Sequence, residues 1–337
     1  MAIQQLRLLQ ATDHGGGQSV KTRAGEVLAD PGGDYEALHR QLKQRFNARP
    51  GKEYGRFSED IGSHPFQGWL ADYLDGRQDF QAFSDRVLSQ WQDEIGRAEA
   101  EIDSPLVLVH ESLADGEVIY LFALEMDPIF QLDSALELHP AHSISLTRLN
   151  LAARIEIHDW RGDHGSANYL TLLQGRGTGE RGRCFARLVG FQREVDVGQE
   201  TRTFLEAVES YASQSEPEEA QKVRNRAYEF CNEQEALGEP VPLSALSGYI
   251  DDTEPERFAN HVAQEQALPP DSVLHPDRRK LRKLVRISGK GNGLSLSFSS
   301  DLVNQAVHYD RDRDALVITQ VPRSLKEQLQ SYLDQGE

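Results

Sequence analysis

Apolar and polar residues along this chain follow two rhythms, and the dominant one changes about half way. Residues 3–9 read as an opening strand, and 13–17, with three successive glycines, as a loop. Asp34 can cap a helix running to about Asn47, which Pro50-Gly51 stops. Phe80, Phe83, Val87, Leu88 and Trp91 recur at three- and four-residue spacing, which predicts a longer helix over 80–100. Residues 106–110 and 117–124 look like two strands joined by a turn at Asp115-Gly116. Residues 144–157 alternate in part, ending near Trp160, and 169–174 form another short strand. This first half is an antiparallel sheet with helices, an α+β pattern.

After Gln174 the texture changes. Residues 175–183 are rich in glycine and arginine, and 183–191, 200–213 and 216–235 read as helices. Ser215-Glu216-Pro217-Glu218 and Thr253-Glu254-Pro255-Glu256 fit capping boxes. Pro240-Val241-Pro242 and Pro269-Pro270 read as rigid connectors. The end returns to β structure: Leu294, Leu296 and Phe298 alternate with serines, 315–320 is the expected partner strand, and a last helix starts at Ser324. The expected division is an N-terminal α+β domain over 1–174 and, over 175–337, a largely helical region ending in a small β/helix unit.

Composition narrows the class. At 337 residues and 38% hydrophobic, the chain can fold as two ordinary domains. No long apolar run stands near the start or later, so neither a secretory signal nor a membrane span is expected. Cys184 and Cys231, with no CxxC pair, argue for a reducing compartment and against a cysteine-based zinc site. Net charge is −18, which favours solubility and repels DNA at long range. Screening over about 8 Å still lets a local basic face bind phosphate.

One segment runs against that charge. Between Asp277 and Lys290 the chain carries Arg278, Arg279, Lys280, Arg282, Lys283, Arg286 and Lys290 against one acid, a local net of +6. With Asp277 as N-cap and Gly289 as stop, the spacing predicts an amphipathic helix. Leu281, Leu284 and Val285 would face inward, and Arg279, Arg282, Lys283 and Arg286 outward as a stripe. That stripe disfavours a helix locally. Arg279/Lys283 and Arg282/Arg286 are like-charged neighbours, each costing about 0.2–0.5 kcal/mol. The first cations also sit at the positive end of the helix dipole, at about 0.3–1 kcal/mol. The charge therefore implies a partner: the chain's own acids, an outside phosphate or an acidic protein. The loop 289–293 that follows can cradle phosphate or simply turn into the next strand.

Gly177-Thr178-Gly179-Glu180-Arg181-Gly182 matches the dinucleotide fingerprint GxGxxG, but the surrounding pattern does not alternate strand and helix. A second cationic patch of Arg176, Arg181, Arg183, Arg187 and Arg193 is the better functional reading, against an ordinary solvated face. His158, Asp159, Asp163 and His164 lie close in sequence, as do His139 and His142, without the spacing of a strong metal motif. No Walker sequence, GxSxG elbow or HExxH is present, and nothing in the sequence points to an enzyme or a cofactor.

Several phrases occur together in order. They are Tyr54-Gly55-Arg56-Phe57-Ser58, Ala153-Arg154-Ile155 before Trp160, and Tyr169-Leu170-Thr171 leading to Gly175-Arg176. Tyr228 precedes Cys231-Asn232-Glu233-Gln234; Asp277-Arg278, Leu281-Arg282, Leu284, Gly293-Leu294 and Phe298 follow. Leu316, Ile318, Pro322, Leu325, Gln328 and Leu329 close the chain. In these phrases the chain resembles, over nearly its full length, the bacterial nucleoid-associated proteins called NdpA or YejK. The resemblance implies a cytoplasmic protein of the nucleoid that binds DNA, with no catalytic activity and no cofactor. It supplies the Asp277-Arg278 and Leu281-Arg282 frame, while Arg279, Lys280 and Lys283 stand as this chain's own additions.

The leading expectation is a non-enzymatic protein that binds double- or single-stranded DNA mainly through phosphate, with 278–290 as primary contact and 176–187 as secondary. A second is an acidic interaction protein docking on DNA-handling enzymes such as topoisomerases. A third is a nucleotide-dependent enzyme using the glycine loops. A homodimer would double the cationic surface.

Overall fold

The computed structural model describes residues 2–13, 19–98, 101–114, 116–162, 168–266 and 268–334. The chain divides into two compact units, residues 1–200 with 235–239, and residues 201–234 with 240–337. The boundary expected at Gln174 thus lies inside the first unit. The helix Gly179–Val189 belongs there, and the strand Phe191–Arg193 pairs back onto Lys52–Phe57. The glycine- and arginine-rich texture after Gln174 marks a turn within the first unit.

The first unit is built on an antiparallel sheet. Its strands run in the order Phe191–Arg193, Lys52–Phe57, Leu170–Gln174, Leu151–Glu156, Glu117–Ala123, Leu106–Ser112, Ala2–Asp13, Lys21–Ala24. Leu28–Ala29 and Ile102–Asp103 also pair with the first strand. Residues 106–109 and 118–123 are unbroken apolar runs within Leu106–Ser112 and Glu117–Ala123, and a strand of that kind needs cover on both faces. Here it has it. On one face Leu108, Leu121, Ala153 and Leu172 pack with Phe83, Trp91 and Phe185 from the helices Phe80–Gly96 and Gly179–Val189. On the other, Val109, Tyr120 and Phe122 pack with Leu42 and Phe46 of the helix Asp34–Ala48. The helix spacing read from Phe80 to Trp91 is therefore the inner stripe of a real helix, capped by Asp79 on the Ala82 N–H at 2.7 Å.

Three β readings change. The alternation over 144–157 is not one strand: Leu138–Ile144 ends there, a 3-10 turn follows, and Leu151–Glu156 is separate. Lys52–Phe57, polar in composition, is a strand nonetheless. Met126–Leu132 and Leu138–Ile144 form a hairpin whose Pro128 and Pro140 argue against strands; a two-stranded ribbon tolerates them because each strand has a free edge. Part of the expected 13–17 loop and Asp115 of the expected turn lie outside the described residues.

The second unit is mostly helical. Phe204 and Val208 from Val197–Ala212, Val223 and Ala227 from Pro217–Leu237, Leu246 from Leu243–Ile250 and Phe258 from Arg257–Gln266 form its core. Val241–Pro242, read as a connector, pairs with Val273–Leu274. Two small hairpins and the helix Arg323–Asp334 end the chain. The fold class is α+β as the pattern predicted: an N-terminal antiparallel sheet with helices, a helical region, and a small C-terminal β/helix unit.

Candidate nucleic-acid interface

The acid that opens the basic run caps it. Asp277 accepts the Arg279 N–H at 2.9 Å and donates its own N–H to Thr201 Oγ1 at 2.8 Å, both within the second unit. Arg278–Leu281 is one helical turn and Arg282–Leu284 a tighter 3-10 turn. Leu281 and Leu284 are buried in the second unit's core, with Val285 packed beside it, as the spacing requires. There the helix ends. Arg286–Gly291 is a strand, paired antiparallel with Leu294–Ser299.

The four-residue stripe is thus not a helix face. Arg279, Arg282 and Lys283 are exposed on the two turns, while Arg286 and Lys290 lie on the strand, and Gly289, expected as a helix stop, is inside it. The same local costs that made the helix poor explain the break. Continuing it to Arg286 would stack Arg282 on Arg286. Val285 and Ile287 are β-branched and favour the extended chain. Asn292 and Gly293 both have positive φ, at 49° and 78°, which makes the two-residue type I′ turn that matches strand twist. The partner of Leu294–Ser299 is therefore Arg286–Gly291, and the expected partner Ala315–Ile318 pairs instead with Val307–Asp310. The 289–293 segment is the end of a hairpin.

The cations differ in what holds them. Arg279 Nε lies 3.5 Å from Asp277 Oδ1. Arg286 donates from Nε and Nη2 to Ser297 Oγ at 3.2 and 3.1 Å. Arg278 and Lys280 are half-buried and engaged within the protein. Arg282, Lys283 and Lys290 are exposed and make no ion pair among the described residues.

The other patch is closed by its own acids. Arg187 Nε donates to Glu94 Oε2 at 2.6 Å, and that buried carboxylate also accepts from Gln90 and Arg97. Arg181 Nη2 donates to Glu125 Oε1 at 2.6 Å, beside Asn150 Nδ2 at 2.9 Å. Arg183 pairs with Glu180, and Arg193 Nη2 lies 2.6 Å from Glu53. Hydrogen bonds to these acids raise the pKa of Arg183, Arg187 and Arg193 above the ordinary guanidinium value. Burial pushes the Glu125 carboxyl up, but bonds from Asn150 and Arg181 together with the arginine charges outweigh it and hold it low. Arg176 is left exposed.

Of the GxGxxG glycines, Gly177 and Gly179 supply positive φ, at 81° and 51°, and Gly182 close packing. A Cβ on Gly182 would stand 2.5 Å from Thr178 Oγ1 and 2.6 Å from Gln174 Nε2, so a larger residue would displace the side chains that pack the helix start against the strand end. The flanking strand Leu170–Gln174 is antiparallel to both neighbours, which removes the βαβ setting a dinucleotide site requires. His158 and Asp159 lie on the short helix Ile157–Arg161, and Asp163 and His164 fall outside the described residues. His139 joins Asp133 and Glu137 in an exposed cluster whose ligand atoms lie within 4.8 Å of one another. Asp133 Oδ1 is already occupied there by the turn N–H groups of Ala135 and Glu137.

No described helix is long and apolar enough to cross a membrane. A family model described as nucleoid-associated protein YejK matches residues 8–326. A protein of Azotobacter vinelandii named nucleoid-associated protein is 32% identical over 302 residues, 89% of this chain and 89% of its own length. Proteins of the same name from Pseudomonas syringae pv. tomato and Metapseudomonas resinovorans are 30% and 31% identical over 297 residues, each match covering 87% of this chain and 89% of the relative. The likeness read from the scattered phrases therefore holds along nearly the whole sequence, and the chain belongs to the nucleoid-associated protein YejK family.

Proposed function

We propose that this protein is a cytoplasmic, nucleoid-associated, non-enzymatic DNA-binding protein, directed mainly at phosphate and low in sequence specificity. The observation that carries the reading is the contrast in ion pairing: Arg282, Lys283 and Lys290 are exposed without an acid partner, in a chain with 54 acids against 36 bases. Cations kept clear of abundant acids are available for an outside polyanion. The primary contact is the 278–290 segment, bent into two turns and a strand. The 176–187 patch contributes little, because its arginines other than Arg176 are tied to Glu94, Glu125 and Glu180.

If Arg279, Arg282, Lys283, Arg286 and Lys290 each neutralise a phosphate, log K falls against log salt with a slope of about −4.5. The deciding experiment is a salt titration of the purified protein on duplex and single-stranded DNA. Arg282/Lys283→Ala should flatten the slope by about 1.8. A slope unchanged by that double substitution sinks the assignment.

A second reading rests on charge: outside residues 277–290 the chain carries −24. Such a surface suits basic tracks on DNA-handling enzymes, through which the protein would reach the nucleoid indirectly. In that case purified protein does not bind DNA, and nuclease-treated extract yields those enzymes in a pull-down.

A further inference from the structure

The pairing register of the 286–299 hairpin sorts its side chains into two unlike faces. Residues directly opposite each other across an antiparallel pair share a face, and successive residues alternate. The pairs Arg286–Ser299, Ser288–Ser297 and Lys290–Ser295 therefore line one side. Ile287–Phe298, Gly289–Leu296 and Gly291–Leu294 line the other. One side is two cations and four serines; the other is apolar with two glycines. None of the chain's 54 acids falls in 286–299. Among the described residues the hairpin is a sheet of two strands only, and residues 286–295 are all exposed.

We propose that this hairpin enters the major groove of duplex DNA as a two-stranded β-ribbon, with its serine-and-cation face toward the DNA. The inference rests on the DNA-binding reading above and goes beyond it by naming the form of nucleic acid, the groove and the face. Arg286 and Lys290 are four residues apart, a span of about 13 Å on a strand rising about 3.3 Å per residue. The major groove of B-DNA is about 12 Å wide and admits a two-stranded ribbon. The two cations therefore reach phosphates at the groove's margins while Ser288 and Ser297 lie between them and Ser295 stands opposite Lys290. Serine is small enough for the backbone to approach closely, and its hydroxyl both donates and accepts. It can bond to base edges of either kind, which gives contact without strong sequence preference. The type I′ turn at Asn292-Gly293 closes the ribbon with no bulky loop at its tip. The major groove of A-form RNA is too narrow for side chains to read, so double-stranded RNA does not accept this ribbon.

The test places the same charge on the two faces. Ser295→Glu puts an acid beside Lys290 on the proposed contact face; Leu294→Glu puts it one residue away on the other. At roughly 0.1 M salt the first should weaken duplex binding about tenfold, the cost of one opposed phosphate contact, and the second less than about threefold. Duplex DNA whose cytosines carry glucosylated hydroxymethyl groups, which fill the major groove, should bind at least about tenfold more weakly than the unmodified duplex, and so should double-stranded RNA. Lys290→Ala, which does not disturb the pairing, should flatten the salt slope by about 0.9. Equal losses for Ser295→Glu and Leu294→Glu, or unimpaired binding to the glucosylated duplex, overturn the ribbon. If either occurs while Arg282/Lys283→Ala still flattens the slope, DNA binding stands and the ribbon alone falls. If the wild-type protein binds no DNA, both fall.

Discussion

The two arginine-rich segments look alike in sequence and differ in the folded protein. Residues 175–193 carry five arginines against one acid, and 277–290 carry seven bases against one. The first is quenched by acids that are far away in the chain: Glu94 meets Arg187 across 93 residues and Glu125 meets Arg181 across 56. The second keeps Arg282, Lys283 and Lys290 in solvent. Local charge density thus says that counter-charge is needed, but not whether the protein supplies it. The difference also separates two physical roles. In the first segment Arg187 holds the buried Glu94 carboxylate and Arg181 the half-buried Glu125, so their loss costs stability. In the second their loss should cost binding and leave the fold intact.

Changing pH tests that separation most strongly. His275 stands two residues before Asp277, and burial lowers its pKa from 6.5 to about 4. The unfolded chain binds this proton near 6.5 and the folded one near 4, so between those values the unfolded state holds more protons. Stability therefore falls as pH drops from about 6.5 to about 4, by up to about 3 kcal/mol for this residue. The second unit should lose stability over that window, read as the part of the circular-dichroism unfolding signal that tryptophan fluorescence of the first unit does not share, and His275→Asn should remove the loss. The closed patch responds in the same direction but further into acid: Glu125 is held low when folded, so its contribution is kept at neutral pH and lost only as pH falls below the ordinary carboxylate range.

Next in size is Arg187→Ala. It leaves the buried Glu94 carboxylate with Arg97, itself well exposed, as its remaining charge partner, and should cost about 2–3 kcal/mol given the partial solvation of Arg187. Trp69, Trp91 and Trp160 all lie in the first unit, so tryptophan fluorescence in urea reports this loss selectively. Asp277→Ala removes the cap on the Arg279 N–H and should cost about 1 kcal/mol, seen in circular-dichroism unfolding with the tryptophan fluorescence transition unchanged. The smallest effect is the sharpest check. Arg181/Arg183→Ala should change DNA affinity less than about threefold, against up to about tenfold for each unpaired cation removed from 278–290. A large loss of affinity from that pair would erase the distinction between the two segments.

Much of the fold was legible because its signals are local. The strands 106–110 and 117–124 with their apolar runs, the helix periodicity from Phe80 to Trp91 and the inward placement of Leu281 and Leu284 all follow from spacing and burial. Strand partners were not legible. Leu294–Phe298 reads as a strand from its alternation, but its composition points to 315–320 as the neighbour. The adjacent run reads as helical from its charges and leucines, and Asn292-Gly293 as part of a glycine loop. The Pro128/Pro140 hairpin and the polar strand Lys52–Phe57 were missed because propensity there points away from strand and tertiary pairing overrides it.

Sequence alone determined the α+β class, the resemblance to the family, and the presence of a cation-rich segment on an acidic chain. Each depends on residue identity and near-neighbour spacing. Only the tertiary structure decided which arginines already had partners, since that depends on acids brought together from distant strands and helices. It also decided that the basic run is a turn followed by a ribbon. A few tenths of a kcal/mol of like-charge repulsion per pair, the β-branched residues at 285 and 287 and a two-residue turn together favour a strand over a helix there, and the pairing with residues 294–299 fixes it.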